Sequence, residues 1–381
     1  MSKTRHLIGI SGGKDSAALA IFLKDKCPDL DVTYYFCDTG KELDETYNLI
    51  NSLEIYLGQK VVHLTPEDAK KRDENPFDHF YKAYNGYLPS SVARWCTKQM
   101  KLDPFEKFVG NDPVVSYVGI RGDEDREGYI SKKPNIQSIF PFRKNIWSED
   151  VVKKLLAEKN RERLLDIYAN HLSGKNLDKV TKIINQPLIL EERNPQQNRR
   201  VLLEKQSLML DRGIAIYNHV TFDWLKDTTY PLAKEENFAL LDNEDNLVRE
   251  DIFKMLRNSG VGVPEYYEKI DFEVNGQKGQ YSRSRSGCYF CFFQQKIEWV
   301  WLYEQHPGLF AKAQVYEKID EGFTWNQSES LEDLKDPRRI EQIKLDYIKK
   351  TNRAKDYAKN NSNKLLDIVD DNATDCIACF T

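Results

Sequence analysis

The sequence lacks an apolar run long enough to cross a lipid bilayer, and it lacks a strong excess of charge of either sign. A membrane-spanning helix needs about 20 consecutive apolar residues, and the chain contains no such stretch. Its 56 basic and 60 acidic residues leave a formal net charge of −4. Because nucleic-acid binding depends on clustered positive charge, any such surface has to be a local patch, such as the one containing Arg283 and Arg285.

The first residues do not show the pattern of an export signal, so we expect none, and the number of cysteines is odd. The basic N-terminus leads into an apolar stretch that is broken at once by Ser11-Gly12-Gly13-Lys14, which is not the pattern of a secretory signal. Seven cysteines without such a signal favour reduced thiols over structural disulfides. We therefore expect a cytoplasmic protein, with no membrane partner, whose cysteines serve metal or sulfur chemistry.

Short apolar runs alternate with helical patterns in the first part of the chain. The predicted strands are residues 7–10, 32–37, 60–64 and 114–120, and the predicted helices between them include residues 16–26 and 44–57. This alternation predicts an α/β fold with a Rossmann-like, doubly wound parallel sheet and helices on both faces.

A chain of 381 residues is longer than one typical domain. We predict an α/β core at residues 1–146, a mainly helical insertion at 147–248, and a C-terminal region at 249–381 that carries Cys-x-x-Cys elements and packs on the core. Two polar segments are predicted as loops because of their composition, namely residues 194–198 and 276–287.

The strongest local signal is the run Ser11-Gly12-Gly13-Lys14-Asp15-Ser16 between a predicted strand and a predicted helix. The glycines let the backbone approach an anion, and the helix N-terminus adds partial positive charge. Lys14 supplies a point charge, Asp15 is placed to hold Mg²⁺ on the phosphates, and the serines supply hydroxyl donors. Since the Walker pattern is absent, the sequence predicts a phosphate-binding loop of another type.

This run resembles the PP-loop of the N-type ATP pyrophosphatases. That family includes sulfonucleotide reductases, tRNA thiolases, GMP synthetase and the DNA phosphorothioation enzymes. The resemblance implies a Rossmann-like core that binds ATP or another adenosine nucleotide. In the ATP-using members it also implies departure of pyrophosphate, with Lys14 and Asp15 in catalytic roles.

A second motif is similar to the phosphoadenosine phosphosulfate (PAPS) reductase branch of this family. Phe36-Cys37-Asp38-Thr39-Gly40, followed by Glu45-Thr46, is similar to that branch's Phe-x-Asp-Thr-Gly…Glu-Thr segment. Open parallel sheets bind ligands at the carboxyl ends of their strands, where this motif is expected. Asp38, Thr39 and Gly40 are therefore candidate nucleotide contacts, with Asp38 directed to the ribose or the metal.

Two further motifs point to the same branch. Arg94-Trp95-Cys96-Thr97, with Lys101 and Pro104, is similar to the branch's Arg-x-Cys-Thr-x-x-x-Lys-x-x-Pro pattern. The run from Gly119 to Arg126 is similar to Gly-Ile-Arg-x-x-Glu-Ser-x-x-Arg, although Asp125 replaces the serine and Arg126 comes early. The resemblance implies that Cys96 and Arg121 are catalytic, and that Gly119 and Arg121 lie at the nucleotide, with Arg121 on phosphate.

The cysteines suggest a metal centre or a sulfur relay. Cys288-x-x-Cys291 and Cys376-x-x-Cys379 are pairs of the kind that bind zinc or an iron–sulfur cluster. Resemblance to the phosphorothioation enzymes implies a four-iron–four-sulfur cluster rather than zinc. Two ligand sets stay open, Cys96, Cys288 and Cys291 with one tail cysteine, or the four cysteines of the two pairs. A persulfide carried by one of these thiols is the other interpretation.

Together these motifs predict an ATP pyrophosphatase that adenylates a substrate for sulfur transfer. The resemblance is closest in kind to the DNA phosphorothioation ATP pyrophosphatases. It implies DNA rather than tRNA as the nucleic-acid partner, a cysteine desulfurase as sulfur donor, and further modification-complex subunits. The alternatives are a sulfonucleotide reductase acting on adenylyl sulfate or PAPS, a tRNA thiolase, and a non-catalytic nucleotide sensor.

Overall fold

The computed structural model describes residues 3–126, 131, 133–188, 194–326 and 329–361. The predicted ligands Cys376 and Cys379 lie outside these residues. Among the helices of the described residues, none combines the length and the apolar character needed to cross a membrane.

The described strands form one parallel sheet and one hairpin. They are β1 (Arg5–Gly9), β2 (Val32–Cys37), β3 (Val62–Leu64), β4 (Val114–Tyr117), β5 (Ile136–Ile139), β6 (Ile270–Val274) and β7 (Gln277–Tyr281). Five strands pair in the order β3-β2-β1-β4-β5, and β6 pairs antiparallel with β7. Strands β4 and β5 are buried along their whole length, as expected of a parallel sheet covered on both faces. The predicted Rossmann-like α/β class is confirmed.

Sixteen α-helices lie in the described residues, several of them only one turn long. They are α1 (Lys14–Lys26), α2 (Asp44–Leu57), α3 (Glu67–Lys71), α4 (Pro76–Ala83), α5 (Trp95–Thr97), α6 (Asp103–Val109), α7 (Glu149–Leu155), α8 (Arg161–His171), α9 (Gly174–Ile184), α10 (Pro195–Leu210), α11 (Ile214–Leu225), α12 (Arg249–Asn258), α13 (Lys296–Gln305), α14 (Pro307–Gln314), α15 (Leu331–Leu334) and α16 (Pro337–Asn361). A π-helical turn, Lys98–Leu102, joins α5 to α6.

The prediction of a loop was partly wrong for both polar segments. Residues 195–198 form the first turn of α10, because Asn194 accepts a hydrogen bond from Gln197 N and Pro195 occupies the first helical position. Residues 277–281 form β7, because they pair with β6 across a turn at Asn275 and Gly276. In both segments the polar composition led to the prediction of a loop where the chain forms a helix or a strand.

The chain divides into two compact units, each built from separate stretches of sequence. The first unit contains Met1–Gly9, Ala18–Tyr34 and Val109–Met255. The second unit contains Ile10–Ala17, Tyr35–Phe108 and the described residues from Leu256 onward. The three-part division at residues 146 and 248 stays a prediction.

Buried polar contacts join the elements of the first unit. Trp147 Nε1 donates to Asn218 Oδ1 at 3.0 Å, and Asn218 Nδ2 donates to Asn243 O at 3.3 Å. The buried Lys205 Nζ donates to Ile184 O at 3.0 Å, which ties α10 to the end of α9. Because buried polar groups are costly without partners, these bonds fix the packing of the helical segment.

Candidate functional site

The predicted phosphate loop lies in the second unit, and its last three residues form the first turn of α1. Gly12 has φ +74°, in the left-handed region that favours glycine. A Cβ at this position would overlap Thr46 Cγ2, and Tyr266 Oη donates to Gly12 O at 2.8 Å. Glycine is therefore required at position 12 by its backbone conformation and by the close approach of α2.

The side chains of the loop's two serines stabilise its turn. Ser16 Oγ donates to Gly13 O at 3.1 Å and accepts from Ser11 N at 3.1 Å. The two hydroxyl oxygens are themselves 3.1 Å apart. These contacts stabilise the backbone conformation of the turn. Contacts of the two hydroxyls with phosphate stay a prediction.

Lys14 and Asp15 form a buried ion pair at the N-terminus of α1. Lys14 Nζ lies 3.1 Å from Asp15 Oδ2 and 5.1 Å from the centroid of the Tyr267 ring. Only 5% of Lys14 and 6% of Asp15 is exposed. A buried pair contributes little net stability because both charges lose their hydration. The donor types fit the predicted roles, since Mg²⁺ prefers carboxylate oxygens and an ammonium attracts phosphate.

Replacing Gly12 with alanine is expected to destabilise the second unit. The left-handed backbone and the overlap with Thr46 together cost about 2–4 kcal/mol of unfolding free energy. In the G12A/T46S double variant the overlapping methyl group is removed, so we expect part of this loss to be recovered. Urea denaturation measures the loss of stability and its recovery, and ATP titration measures whether the altered loop still binds the nucleotide. A G12A variant as stable as the unmodified protein would contradict the geometry of the loop.

Asp38 organises the turn that follows β2. Its Oδ1 accepts from Gly40 N at 2.7 Å and from Tyr47 Oη at 3.0 Å. Asn75 Nδ2 donates to Gly40 O at 2.9 Å and anchors the turn to the residue that caps α4. The structure thus gives Asp38 a local role in stabilising this turn, and its contact with a nucleotide or metal stays a prediction.

Thr39 links a buried carboxylate to the first cysteine of the Cys-x-x-Cys pair. Thr39 Oγ1 donates to Glu42 Oε1 at 2.9 Å and lies 3.1 Å from Cys288 Sγ. Burial raises the pKa of the Cys288 thiol well above its usual range, and the Glu42 charge raises it further. Burial likewise raises the pKa of Glu42. Glu42 was not among the predicted site residues, because a single glutamate beyond a turn carries no motif.

The segment before Cys288 contacts the phosphate loop. Ser286 Oγ lies 2.7 Å from the position that a Cβ on Gly13 would take. Arg283 N donates to Tyr266 O at 2.9 Å, and Arg283 Nη2 donates to Cys288 O at 3.1 Å. Residues 283–288 therefore connect the loop to the thiol.

Arg283 is one of the most buried side chains of the second unit, with 1% of its surface exposed. Its Nε and Nη1 atoms have no hydrogen-bond partner within the described part of the chain. Its guanidinium carbon lies 5.8 Å from the centroid of the Tyr266 ring. A buried cation with unsatisfied donors is costly, which suggests that its charge serves the site. The sequence showed this arginine only as part of a basic cluster.

The second cysteine of the pair lies in a small apolar cluster. Cys291, Phe292 and Leu102 pack against the buried Phe293. Leu102 ends the π-helical turn that follows the Cys96 helix, so the segments of Cys96 and Cys291 meet at this ring. Within the described residues, no three Cys, His, Asp or Glu side chains gather closely enough to hold a metal ion. With the tail cysteines outside those residues, the predicted cluster stays a prediction.

Arg121 and Gly119 belong to the first unit and follow β4. Both are buried, and Arg121 pairs with two nearby carboxylates. Its Nε lies 3.0 Å from Asp123 Oδ1, and its Nη1 lies 2.7 Å from Glu124 Oε1. Its guanidinium thus binds carboxylates in this structure, and its predicted phosphate contact stays a prediction.

A parallel sheet with a glycine-containing phosphate loop between β1 and α1 defines a nucleotide-binding α/β domain. Residues 5–161 match the family model of the phosphoadenosine phosphosulfate reductase domain. This match supports a PAPS reductase-like PP-loop domain in this part of the chain, and the predicted resemblance is confirmed at that level. The match does not distinguish the DNA phosphorothioation type from other members.

The chain is also similar to an uncharacterized protein of Methanocaldococcus jannaschii. The two are 35% identical over 149 residues, which cover 35% of this chain and 28% of that protein. Because the chain matches less than a third of the relative's length, the similarity indicates a shared domain rather than a shared overall activity. No solved structure matches the chain.

Proposed function

We propose that the protein is an ATP pyrophosphatase that adenylates a substrate oxygen so that sulfur can replace it. The match of residues 5–161 to the PAPS reductase domain supports an enzyme acting on adenosine nucleotides. One observation supports the sulfur-transfer part of the proposal. A short segment joins Ser286 to Cys288; Ser286 lies against Gly13, and Cys288 lies against Thr39. A thiol that one short segment connects to a phosphate loop suits a reaction that uses both the nucleotide and a sulfur atom.

The proposed reaction begins when a substrate oxygen attacks the α-phosphorus of ATP. The bond to the β-phosphate oxygen breaks, and pyrophosphate leaves with its electron pair. Lys14 neutralises the charge that develops on the polyphosphate, and Asp15 would hold Mg²⁺, which when bound screens the phosphates. A persulfide supplied by a cysteine desulfurase then attacks the activated group through its terminal sulfur, and AMP leaves with the electron pair of the broken P–O bond. A second thiol cleaves the S–S bond, which leaves the sulfur on the acceptor as a thiolate and joins the two thiols in a disulfide.

The acceptor that we propose is a phosphodiester of DNA, in a cytoplasmic complex with the desulfurase and other modification subunits. The proposed ligands of a four-iron–four-sulfur cluster are Cys288 and Cys291 with the tail cysteines Cys376 and Cys379, because Cys96 does not form a metal-binding group with Cys288 and Cys291 within the described residues. The reaction above assigns no step to the cluster. Iron and acid-labile sulfide analysis of anaerobically purified protein tests the cluster. About four of each per chain are expected, and their absence from protein that turns over would contradict it.

Acceptor dependence tests this proposal. Purified protein is incubated with ATP and Mg²⁺ alone, with DNA, or with tRNA, and pyrophosphate is measured. We expect DNA to stimulate release and tRNA to have little effect. Stimulation by tRNA alone would favour a tRNA thiolase instead.

A sulfonucleotide reductase is the second candidate, and the description of the matching family model favours it. Such an enzyme would produce sulfite from adenylyl sulfate or PAPS when supplied with a thiol reductant, without consuming ATP. We expect no sulfite. Sulfite production at a rate above that of the G12A variant would replace the pyrophosphatase proposal.

A further inference from the structure

A surface beside Cys291 combines paired arginines with exposed aromatic rings. It consists of Tyr84, Tyr87, Arg94, Arg285 and Phe293, whose ring both guanidinium groups approach, and we call it the arginine–aromatic surface. All five residues belong to the second unit.

The two arginines share one aromatic neighbour. The Arg94 guanidinium carbon lies 5.0 Å from the Phe293 ring centroid, and that of Arg285 lies 5.8 Å from it. Within the described part of the chain, Arg94 has no ion pair, and its Nε donates to the backbone oxygen of Ser91. Guanidinium groups match the geometry of phosphate oxygens.

The aromatic half of the surface precedes Cys96 in the chain. Tyr84 stacks on the buried Trp95 at a centroid distance of 5.3 Å, and Trp95 Nε1 donates to Tyr87 O at 3.1 Å. These contacts orient the tyrosines, yet each keeps 39% of its surface exposed. Exposed rings beside basic side chains are the features on which unpaired nucleobases stack.

We propose that the arginine–aromatic surface binds the acceptor DNA as an unpaired strand. A backbone phosphate lies between Arg94 and Arg285, and the adjoining bases stack on Tyr84 and Tyr87. Since Phe293 also packs against Cys291, this arrangement brings a phosphodiester next to a thiol of the site. The inference rests on the proposed function, because it takes DNA to be the acceptor.

A protein partner is the competing occupant. Val315 and Ile319 are exposed aliphatic side chains on a neighbouring segment, which Lys318 ties to the tyrosine segment through a 2.8 Å bond from its Nζ to Asn85 O. Apolar side chains of this kind suit a protein interface. The paired guanidinium groups favour an anionic polymer, which is why the proposal names DNA.

Fluorescence anisotropy with a labelled single-stranded DNA oligonucleotide tests the proposal. Binding is measured at several NaCl concentrations for the full-length protein, for R94Q/R285Q, and for the control K70Q/K71Q, which removes the same charge from exposed lysines of α3. We expect R94Q/R285Q to bind at least ~10-fold more weakly and with a shallower salt dependence, because each lost phosphate contact lowers the slope by about 0.7. The control is expected to bind like the unmodified protein, and duplex DNA more weakly than the single strand.

The tyrosines are tested in the same assay with Y84L/Y87L, whose folding is checked by thermal denaturation. Stacking predicts ~10-fold weaker binding at unchanged salt slope. Equal binding by R94Q/R285Q and the unmodified protein, or preferential binding of tRNA, would overturn the proposal. Loss of cysteine desulfurase binding by these variants, with DNA binding intact, would also overturn it, because the surface would then bind the protein partner. The assay needs no turnover, so failure of the pyrophosphatase proposal would show separately, as absent pyrophosphate release.

Discussion

Replacing Asp15 with asparagine is expected to abolish pyrophosphate release, with a fall of ~10³-fold or more in kcat. The amide keeps the size of the carboxylate but loses the charge that would hold Mg²⁺. It also leaves Lys14 buried without its anionic partner, which lies 3.1 Å away in the unmodified protein. We therefore expect the free energy of unfolding to fall by about 3–5 kcal/mol, within what a folded domain of 5–15 kcal/mol can lose.

The double variant K14M/D15N separates the two effects of this change. Removing both charges also removes the buried lysine charge that the loss of Asp15 leaves behind, so stability should return toward that of the unmodified protein while activity stays absent. Steady-state pyrophosphate release and urea denaturation measure the two quantities. Turnover by D15N at the unmodified rate would show that Asp15 has no metal role.

Replacing Arg283 with methionine is expected to remove activity without loss of stability. The methionine fills much of the same buried volume, and it removes two donors that lack partners among the described residues. Each unsatisfied buried donor costs about 1–3 kcal/mol, and removing two of them offsets the loss of the bond from Arg283 Nη2 to Cys288 O. R283M should therefore unfold at about the same denaturant concentration as the unmodified protein. We expect kcat to fall ~10²-fold, because the positive charge beside the phosphate loop is lost.

A lysine at the same position provides the matched control. R283K keeps the charge but loses the reach of the guanidinium to Cys288 O, which accepts from Arg283 Nη2 at 3.1 Å. We expect R283K to retain more activity than R283M and to be less stable. If R283M is instead strongly destabilised, Arg283 serves the packing of the unit rather than the chemistry of the site.

The central elements of the fold could be predicted because their signals are local. Strand β2 and helix α2 have the bounds expected from their apolar patterns. Strands β5 and β7 were missed, because β5 is a short segment whose polar residues are buried, and β7 is a polar segment fixed by its pairing with β6. Pairing between distant or exposed segments leaves little trace in residue periodicity.

In the candidate site, too, some features could be predicted from the sequence and others could not. The loop at residues 11–16 and the turn at Asp38 could be identified because each is a continuous motif. The contacts of Tyr266 with Gly12 and of Glu42 with Thr39 could not, because they depend on how separate segments pack. The position of the second unit's cysteines relative to one another likewise depends on packing, which is why spacing left two ligand sets open.

The most direct test of the account is the identity of the products formed from ATP. Purified protein is incubated with Mg²⁺, DNA and ATP labelled at the α-phosphate, and the labelled nucleotide and the released phosphate species are identified. The account predicts labelled AMP, free or joined to the acceptor, with pyrophosphate in equal amount. Labelled ADP with inorganic phosphate would contradict it, because cleavage would then occur at the γ-phosphate.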